Sequence, residues 1–401
     1  MLTSLAFIFL AGLLMAAVCK RLKPPGMIGM LITGIVLGPY VLDLLDPSIL
    51  SVSSDLRQMA LIIILLKAGL SLDLSDLKKV GRPAIMMSCV PASCEILAFF
   101  LLAPSLLGVT RIEAAVMGAV LAAVSPAVVV PRMVRLMDEK YGTKKSVPQL
   151  ILAGASCDDI FVIVLFSTFS GMAQGGHANV MGFVNIPVSI VLGIALGAAA
   201  GFVLSVFFET SYAHRHCVRN SVKVIIVLGV SFLLMAVETW LKGIVSVSGL
   251  LAVVSMACVI RIRCVPQVTA RLSEKFGKLW LAAEVILFVL VGAAVDIRYT
   301  LEAGIAAVAM IFAALIFRGI GVSLCLVKTS LSFKERLFCI IAYLPKATVQ
   351  AAIGSVPLAM GLPCGKIVLS VAVLAILITA PLGAIGIDSA YKKLLTHDEN
   401  S

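Results

Sequence analysis

Two adjacent aspartates, Asp158 and Asp159, lie inside an otherwise apolar run that extends from residue 150 to residue 169. The run is long enough to cross a bilayer, and at the centre of a membrane helix one Asp costs about 2.5–3.5 kcal/mol on an insertion scale. A helix keeps such a pair only if a cation, a proton or a basic partner offsets this cost. Carboxylate oxygens are hard ligands that suit sodium or lithium. The pair therefore predicts a site that binds a small monovalent cation and exchanges it for protons.

The two carboxylates point in different directions, because adjacent residues on a helix are about 100° apart. One can therefore face a wet cavity while the other faces a neighbouring helix. Ser125 lies in the preceding apolar run, and its hydroxyl is a candidate third ligand of the cation. Burial and a neighbouring like charge favour the protonated form of a carboxyl group, so one group can hold either a proton or a cation. Competition at that group is sufficient for antiport.

Three further charged residues, Glu95, Arg318 and Lys346, lie within apolar runs. We expect each of the two bases to pair with an intramembrane acid, either Asp158 or Glu95. Arginine stays charged in a protein, whereas a buried lysine can lose its proton. If Arg318 pairs with Asp158, one-for-one exchange is favoured. If Lys346 takes that position, a second transported proton becomes possible. The residues alone leave both pairings open. They also leave open that the two aspartates are purely structural and pair with Arg318 and Lys346.

The composition is that of a polytopic α-helical membrane protein. Of the 401 residues, 61% are hydrophobic and 13% are charged, and a soluble domain carries about twice that charged fraction. The net charge of +11 does not indicate nucleic-acid binding, because most Lys and Arg lie in short loops between apolar runs. The ten cysteines show no metal-binding spacing, so no cofactor is predicted.

The apolar runs predict about thirteen transmembrane helices. Lys and Arg are concentrated in alternate loops, which by the positive-inside rule places the N-terminus outside and the C-terminus in the cytoplasm. We therefore expect a multi-pass protein of the cell (inner) membrane, surrounded by lipid.

A short motif, A-x-x-P-x-x-x-V, occurs around Pro126 and again around Pro345. Seven predicted crossings separate the copies, so the two three-helix segments have opposite orientations, as in the inverted repeats of secondary transporters. Proline removes a backbone donor and clashes with the preceding turn. Pro126, Pro131 and Pro345 therefore predict two broken helices that cross near the midplane, with simple proline kinks as the alternative. Paired half-helix ends there would make a polar site within lipid.

These motifs resemble those of the cation/proton antiporters of the sodium/hydrogen exchanger domain family. The adjacent aspartates resemble its two-aspartate branch. The segments S-P-A-V-V-V-P from Ser125, A-G-L after Lys67 and P-K-A-T-V-Q-A-A from Pro345 are most similar to bacterial NHA-type sodium/proton exchangers.

The resemblance implies a role for each aspartate. Asp159 would be the principal ligand of sodium (or lithium) and of the proton. Asp158 would pair with a basic residue of the eleventh span. Many bacterial members have lysine at that position, whereas this chain has Arg318, as in the NHA branch.

The resemblance also implies a homodimer that works by an elevator movement. The ion-binding core would comprise residues 83–170 and 302–388. The dimerisation scaffold would comprise residues 1–73 and 221–297, and the linker helix would comprise residues 182–208. The predicted function is secondary active sodium (or lithium)/proton antiport, without enzymatic activity. The alternatives are potassium/proton antiport on the same fold, sodium-coupled symport of organic anions, and a channel. The absence of a repeated filter-like sequence argues against the channel.

Overall fold

The computed structural model describes residues 1–22, 24–71, 81–174, 180–213, 219–241, 247–296 and 304–397. Within these ranges the chain forms eighteen helices and one isolated antiparallel bridge between Tyr141 and His397.

The helices, in chain order, are α1 (Leu2–Arg21), α2 (Gly26–Leu37), α3 (Pro47–Ser51), α4 (Ser53–Ser71), α5 (Arg82–Met87), α6 (Val90–Leu107), α7 (Arg111–Leu121), α8 (Pro126–Asp138), α9 (Val147–Gln174), α10 (Val180–Ala213), α11 (Asn220–Trp240), α12 (Gly249–Arg263), α13 (Pro266–Ala293), α14 (Gly304–Cys325), α15 (Phe333–Ala342), α16 (Thr348–Gly354), α17 (Val356–Ala359) and α18 (Gly365–Leu394).

Eight helical stretches of the described chain are long and apolar enough to cross a membrane. Shorter apolar helical stretches are Gly26–Leu37, the Phe161–Gln174 part of α9, and Thr348–Ala359, which comprises α16 and α17. The all-α class predicted from the sequence is thereby confirmed. The number of thirteen crossings stays a prediction.

The chain divides into two compact units. One comprises Met1–Arg57, Asp73–Val162 and Val285–Ser401, and the other comprises Gln58–Leu72 and Ile163–Glu284. Every site residue predicted from the sequence belongs to the first unit. The division into an ion-binding core, a scaffold and a linker stays a prediction.

Two helices of the first unit begin with the same local structure. The side chain of Thr110 precedes α7 and accepts a hydrogen bond from the backbone N–H of Glu113, whose carboxylate accepts one from the N–H of Thr110. Ser332 and Glu335 form the same reciprocal pair before α15. Such capping boxes satisfy backbone donors that a helix start leaves free. The two helices that precede the repeated proline motif therefore start in the same way.

Both of these helices are interrupted. Residues 122–125 separate α7 from α8, and residues 343–347 separate α15 from α16; we call these the first break and the second break. Pro126 is the first residue of α8, where its missing N–H has no intrahelical acceptor to lose. Pro345 lies within the second break.

Pro131 does not break a helix, so that part of the sequence prediction was wrong. It lies inside α8, which continues to Asp138. Pro131 is only the sixth residue of α8, so the hydrogen bond that it cannot make would have gone to the first turn of the helix. Helices within membrane proteins tolerate such a loss where neighbouring groups compensate.

Buried apolar side chains from α5, α8, α9, α14, α15 and α18 form a core around the second break. Glycine is required at two of its contacts. A Cβ atom on Gly154 of α9 would overlap the hydroxyl of Tyr343, and one on Gly383 of α18 would overlap the ring of Pro345. These two helices therefore approach the second break more closely than any larger residue permits.

Candidate ion-binding site

Five charged residues predicted from the sequence are buried in the first unit. Glu95 lies on α6, Asp158 and Asp159 lie on α9, Arg318 lies on α14, and Lys346 lies in the second break. Asp159 is 7% exposed, and the other four are at most 1% exposed. Buried charges are costly unless they are paired and hydrogen-bonded.

Arg318 joins two acids to both breaks. Its Nη1 donates to Glu95 Oε2 at 2.8 Å, and its Nη2 donates to Asp158 Oδ2 at 3.1 Å. Nη1 also donates to the carbonyl of Ala122 in the first break, while Nε donates to the carbonyl of Tyr343 in the second break at 2.6 Å. Of the two bases that the sequence left open as partners of Asp158, the structure brings Arg318 into contact with it.

Lys346 pairs with the remaining oxygen of Glu95. Its Nζ lies 2.6 Å from Glu95 Oε1 and also donates to the carbonyl of Leu121. The backbone N–H of Lys346 donates to Thr379 Oγ1 on α18 at 3.0 Å. Each oxygen of Glu95 is therefore bound by a different base.

Asp158 is held at one oxygen only. In addition to the contact with Arg318, its Oδ2 accepts a hydrogen bond at 2.8 Å from the backbone N–H of Val124 in the first break. Its Oδ1 is enclosed and has no hydrogen-bond partner. The carboxylate thus fixes the first break and keeps one oxygen available.

Asp159 and Ser125 each carry an enclosed oxygen without a partner. These atoms are Asp159 Oδ1 and Ser125 Oγ. The backbone N–H of Ser125 donates to the carbonyl of Pro345 at 2.8 Å, which fixes the residue and leaves its hydroxyl unused. Among the salt bridges of the described residues, none involves Asp159. Buried oxygens without partners mark places where a ligand can supply the missing contacts.

The charges of the site do not cancel. Glu95, Asp158 and Asp159 are three acids, and Arg318 and Lys346 are two bases. Both bases contact Glu95 or Asp158, so the uncompensated negative charge lies on Asp159. One monovalent cation or one proton neutralises it.

An uncharged residue that the sequence analysis assigned no role, Gln350 of α16, also joins the breaks. Its Nε2 donates to the carbonyls of Ala123 at 2.7 Å and Leu121 at 3.4 Å, and its Oε1 accepts from the N–H of Ala347 at 2.8 Å. The available signal was its position in an apolar run, directly after the repeated proline motif.

Known proteins share both the sequence and the fold of this chain. Residues 5–392 match the family described as sodium/hydrogen exchanger, transmembrane. Human sodium/hydrogen exchanger 9B2 is 34% identical over 389 residues, which covers 94% of this chain and 71% of that protein. Human sodium/hydrogen exchanger 9B1 is 32% identical over 393 residues, which covers 93% and 73%. The structure of the sodium proton antiporter MjNhaP1 from Methanocaldococcus jannaschii is similar, with a TM-score of 0.81 and 22% identity over 98% of this chain and 99% of that one. The chain therefore belongs to the sodium/hydrogen exchanger family.

Proposed function

We propose that this protein is a secondary active sodium (or lithium)/proton antiporter in which cation and proton compete at Asp159. One observation carries the proposal: Asp159 is the acid of the buried network that no base contacts, and its Oδ1 is enclosed without a partner. The family to which the chain belongs supports the same activity.

The cation would be bound by oxygens of three residues. Asp159 Oδ1, Asp158 Oδ1 and Ser125 Oγ are enclosed and unpartnered, and oxygen is the ligand that hard cations prefer. Proton binding at Asp159 removes the charge that attracts the cation. The two ions therefore exclude each other from the site.

The exchange ratio would be one sodium for one proton. Arg318 cannot release its proton, so it remains a fixed counter-charge for Glu95 and Asp158. Lys346 is held by Glu95. The site is then neutral with either one sodium or one proton bound, and transport moves no net charge.

The proposal includes the setting of this site. Residues 83–170 and 302–388 would move as an elevator against a homodimeric scaffold of residues 1–73 and 221–297, with residues 182–208 as the link. This part rests on the similarity to the family. The loop charges support an inner-membrane location with the N-terminus outside and the C-terminus in the cytoplasm.

Exchange in proteoliposomes with an internal pH dye tests the proposal. We expect sodium or lithium gradients to drive proton movement with wild type, and Asp159→Asn to reduce the rate at least about 100-fold, because a neutral amide offers no charge for either ion. Asp55→Asn is the matched control, since Asp55 is exposed, and it should exchange like wild type. The thermal unfolding midpoint of each variant shows that it is folded.

Four results would count against this proposal. Full exchange by Asp159→Asn, or no cation-driven exchange by wild type, contradicts the proposed site or function. A response to potassium rather than sodium or lithium would assign the fold to potassium/proton antiport. A rate that changes when the membrane voltage is clamped at different values contradicts the one-for-one ratio.

A further inference from the structure

Gln350 lies where the two breaks meet, and it is completely buried. Its amide makes contacts in both directions: the oxygen accepts from the N–H of Ala347 in the second break, and the nitrogen donates to two carbonyls at the end of α7 and in the first break. Among the described residues, no other uncharged side chain makes hydrogen bonds to backbone groups on both sides of this crossing.

The carbonyls that Gln350 contacts have no helical partner. A helix leaves its last carbonyls without intrahelical donors, and an apolar interior offers no water in exchange. Around the first break these carbonyls are satisfied by side chains from distant parts of the chain: Leu121 by Lys346 and Gln350, Ala122 by Arg318, and Ala123 by Gln350. The carbonyl of Ala123 thus depends on Gln350 for its hydrogen bond.

The backbone that follows Ala123 carries the ligand groups. The next residue is Val124, whose N–H contacts Asp158, and then Ser125, whose hydroxyl is unpartnered. A shift of the Ala123 carbonyl would move both groups. We propose that Gln350 is a positioning residue that holds the first break in the geometry of the ion site. The inference rests on the function proposed above.

The contacts require a neutral side chain that both donates and accepts. An ionised glutamate is a pure acceptor, so in this position it would satisfy Ala347 but oppose the carbonyls of Leu121 and Ala123. A protonated glutamic acid has one O–H and can restore one of the two donated bonds. It would also leave the charge of the site unchanged, whereas the ionised form adds a second uncompensated negative charge.

Two variants of nearly equal side-chain size separate these requirements. In Gln350→Glu we expect sodium/proton exchange to approach the wild-type rate at low pH and to disappear as the pH rises. The pH profile of this variant should therefore be displaced towards acidic pH by about one pH unit or more. In Gln350→Met all three hydrogen bonds are lost without a charge. We expect its KM for sodium to rise about tenfold with little change in kcat, and its pH profile to keep the wild-type position.

The experiment measures initial exchange rates in proteoliposomes across a pH series, with the thermal unfolding midpoint recorded at each pH. A Gln350→Glu profile that superimposes on the wild-type profile, or a folded Gln350→Glu that is inactive at every pH, overturns the inference. If Gln350→Glu does not fold, Gln350→Met decides: an unchanged KM overturns the inference and a raised KM supports it. Wild type without exchange contradicts the proposed function itself, whereas active wild type with an undisplaced Gln350→Glu profile contradicts only the role of Gln350.

Discussion

Each break interrupts a helix, but the two breaks have different polar partners. In the first break, the N–H of Val124 meets the carboxylate of Asp158, and no residue of the break is itself charged. In the second break, the N–H of Lys346 meets the hydroxyl of Thr379, and the break carries the charge of Lys346. One backbone N–H is thus held by an anion and the other by a neutral group.

This difference separates what the repeat predicted from the sequence would supply from what depends on individual residues. Both interrupted helices begin with a capping box and contain a break close to the repeated proline. The repeat therefore accounts for the crossing of two interrupted helices. In the proposed mechanism ion binding depends on the asymmetry, because the two adjacent acids lie on α9 whereas α18 presents Thr379. Changes that make the two breaks more alike should be the most damaging.

The largest effect is expected from Asp158→Thr. This change gives the N–H of Val124 a neutral hydroxyl as its partner, like the hydroxyl of Thr379 that faces the N–H of Lys346. Arg318 would lose one of its two acids, and removing one partner of a buried ion pair costs about 3–5 kcal/mol. We expect the exchange rate to fall at least about 100-fold and the thermal unfolding midpoint to drop. Thr379→Ser is the control, because serine keeps the hydroxyl that accepts from the N–H of Lys346. Near-normal exchange by Asp158→Thr would show that the charge difference between the breaks is dispensable.

A smaller effect is expected from Arg318→Lys. A single ammonium cannot reproduce the contacts that three guanidinium nitrogens make with Glu95, Asp158 and both breaks. We expect exchange to slow about tenfold and to become sensitive to membrane voltage, because a buried lysine can release a proton to the transported pool. Voltage-clamped proteoliposomes measure both changes.

Arg132→Lys serves as the control for that substitution. Arg132 pairs with Asp388, outside the buried network, so its replacement should leave transport insensitive to voltage. Voltage-independent exchange by Arg318→Lys would mean that the fixed charge of Arg318 does not determine the proton count.

Gly383→Ala tests how closely the second break is packed. The added methyl would overlap the ring of Pro345, and overpacking of this kind costs about 1–3 kcal/mol. We expect a lower thermal unfolding midpoint. Gly229→Ala on α11, where a Cβ meets no atom within 4 Å, should leave the midpoint unchanged or raise it. Equal midpoints for the two variants would indicate that the contact at Pro345 yields without cost.

The smallest effect is expected from Thr379→Val, which keeps the shape of the side chain and removes the acceptor for the N–H of Lys346. Loss of one such bond costs about 1 kcal/mol, equivalent to roughly a fivefold rise in KM for sodium. Thr379→Ser should behave like wild type in the same transport assay. If valine and serine give the same KM, the hydrogen bond between Lys346 N–H and the residue 379 hydroxyl has no influence on ion binding.

The charged part of the site was predictable from the sequence, because a charge in an apolar run is conspicuous. Asp158, Asp159, Glu95, Arg318 and Lys346 were all found in this way. Their pairing was not predictable, since it depends on which helix faces meet, and that is decided by tertiary packing.

Uncharged residues of the site were harder to recognise. Amides and hydroxyls occur in membrane helices for many reasons, so the position of Gln350 in an apolar run was not enough to assign it a role. The capping boxes T-R-I-E and S-F-K-E are readable in the sequence and mark the start of each interrupted helix. Pro131 was misread as a break because its effect depends on its position within the helix, and the start of α8 is set by the first break.

A single backbone hydrogen bond, from Ser125 N–H to the carbonyl of Pro345, links the two breaks to each other. Its neighbours are held as well: Lys346 N–H donates to Thr379, Gln350 donates to the carbonyl of Ala123, and Gly383 packs against the ring of Pro345. We therefore expect this bond to open only when the surrounding contacts open with it. In hydrogen-exchange terms, the Ser125 amide should be among the slowest in the protein and open only with unfolding of the unit. If the core moves as the elevator proposed above, the ion site would cross the membrane as a rigid body, and the deuterium uptake that accompanies transport would appear at the edges of the core.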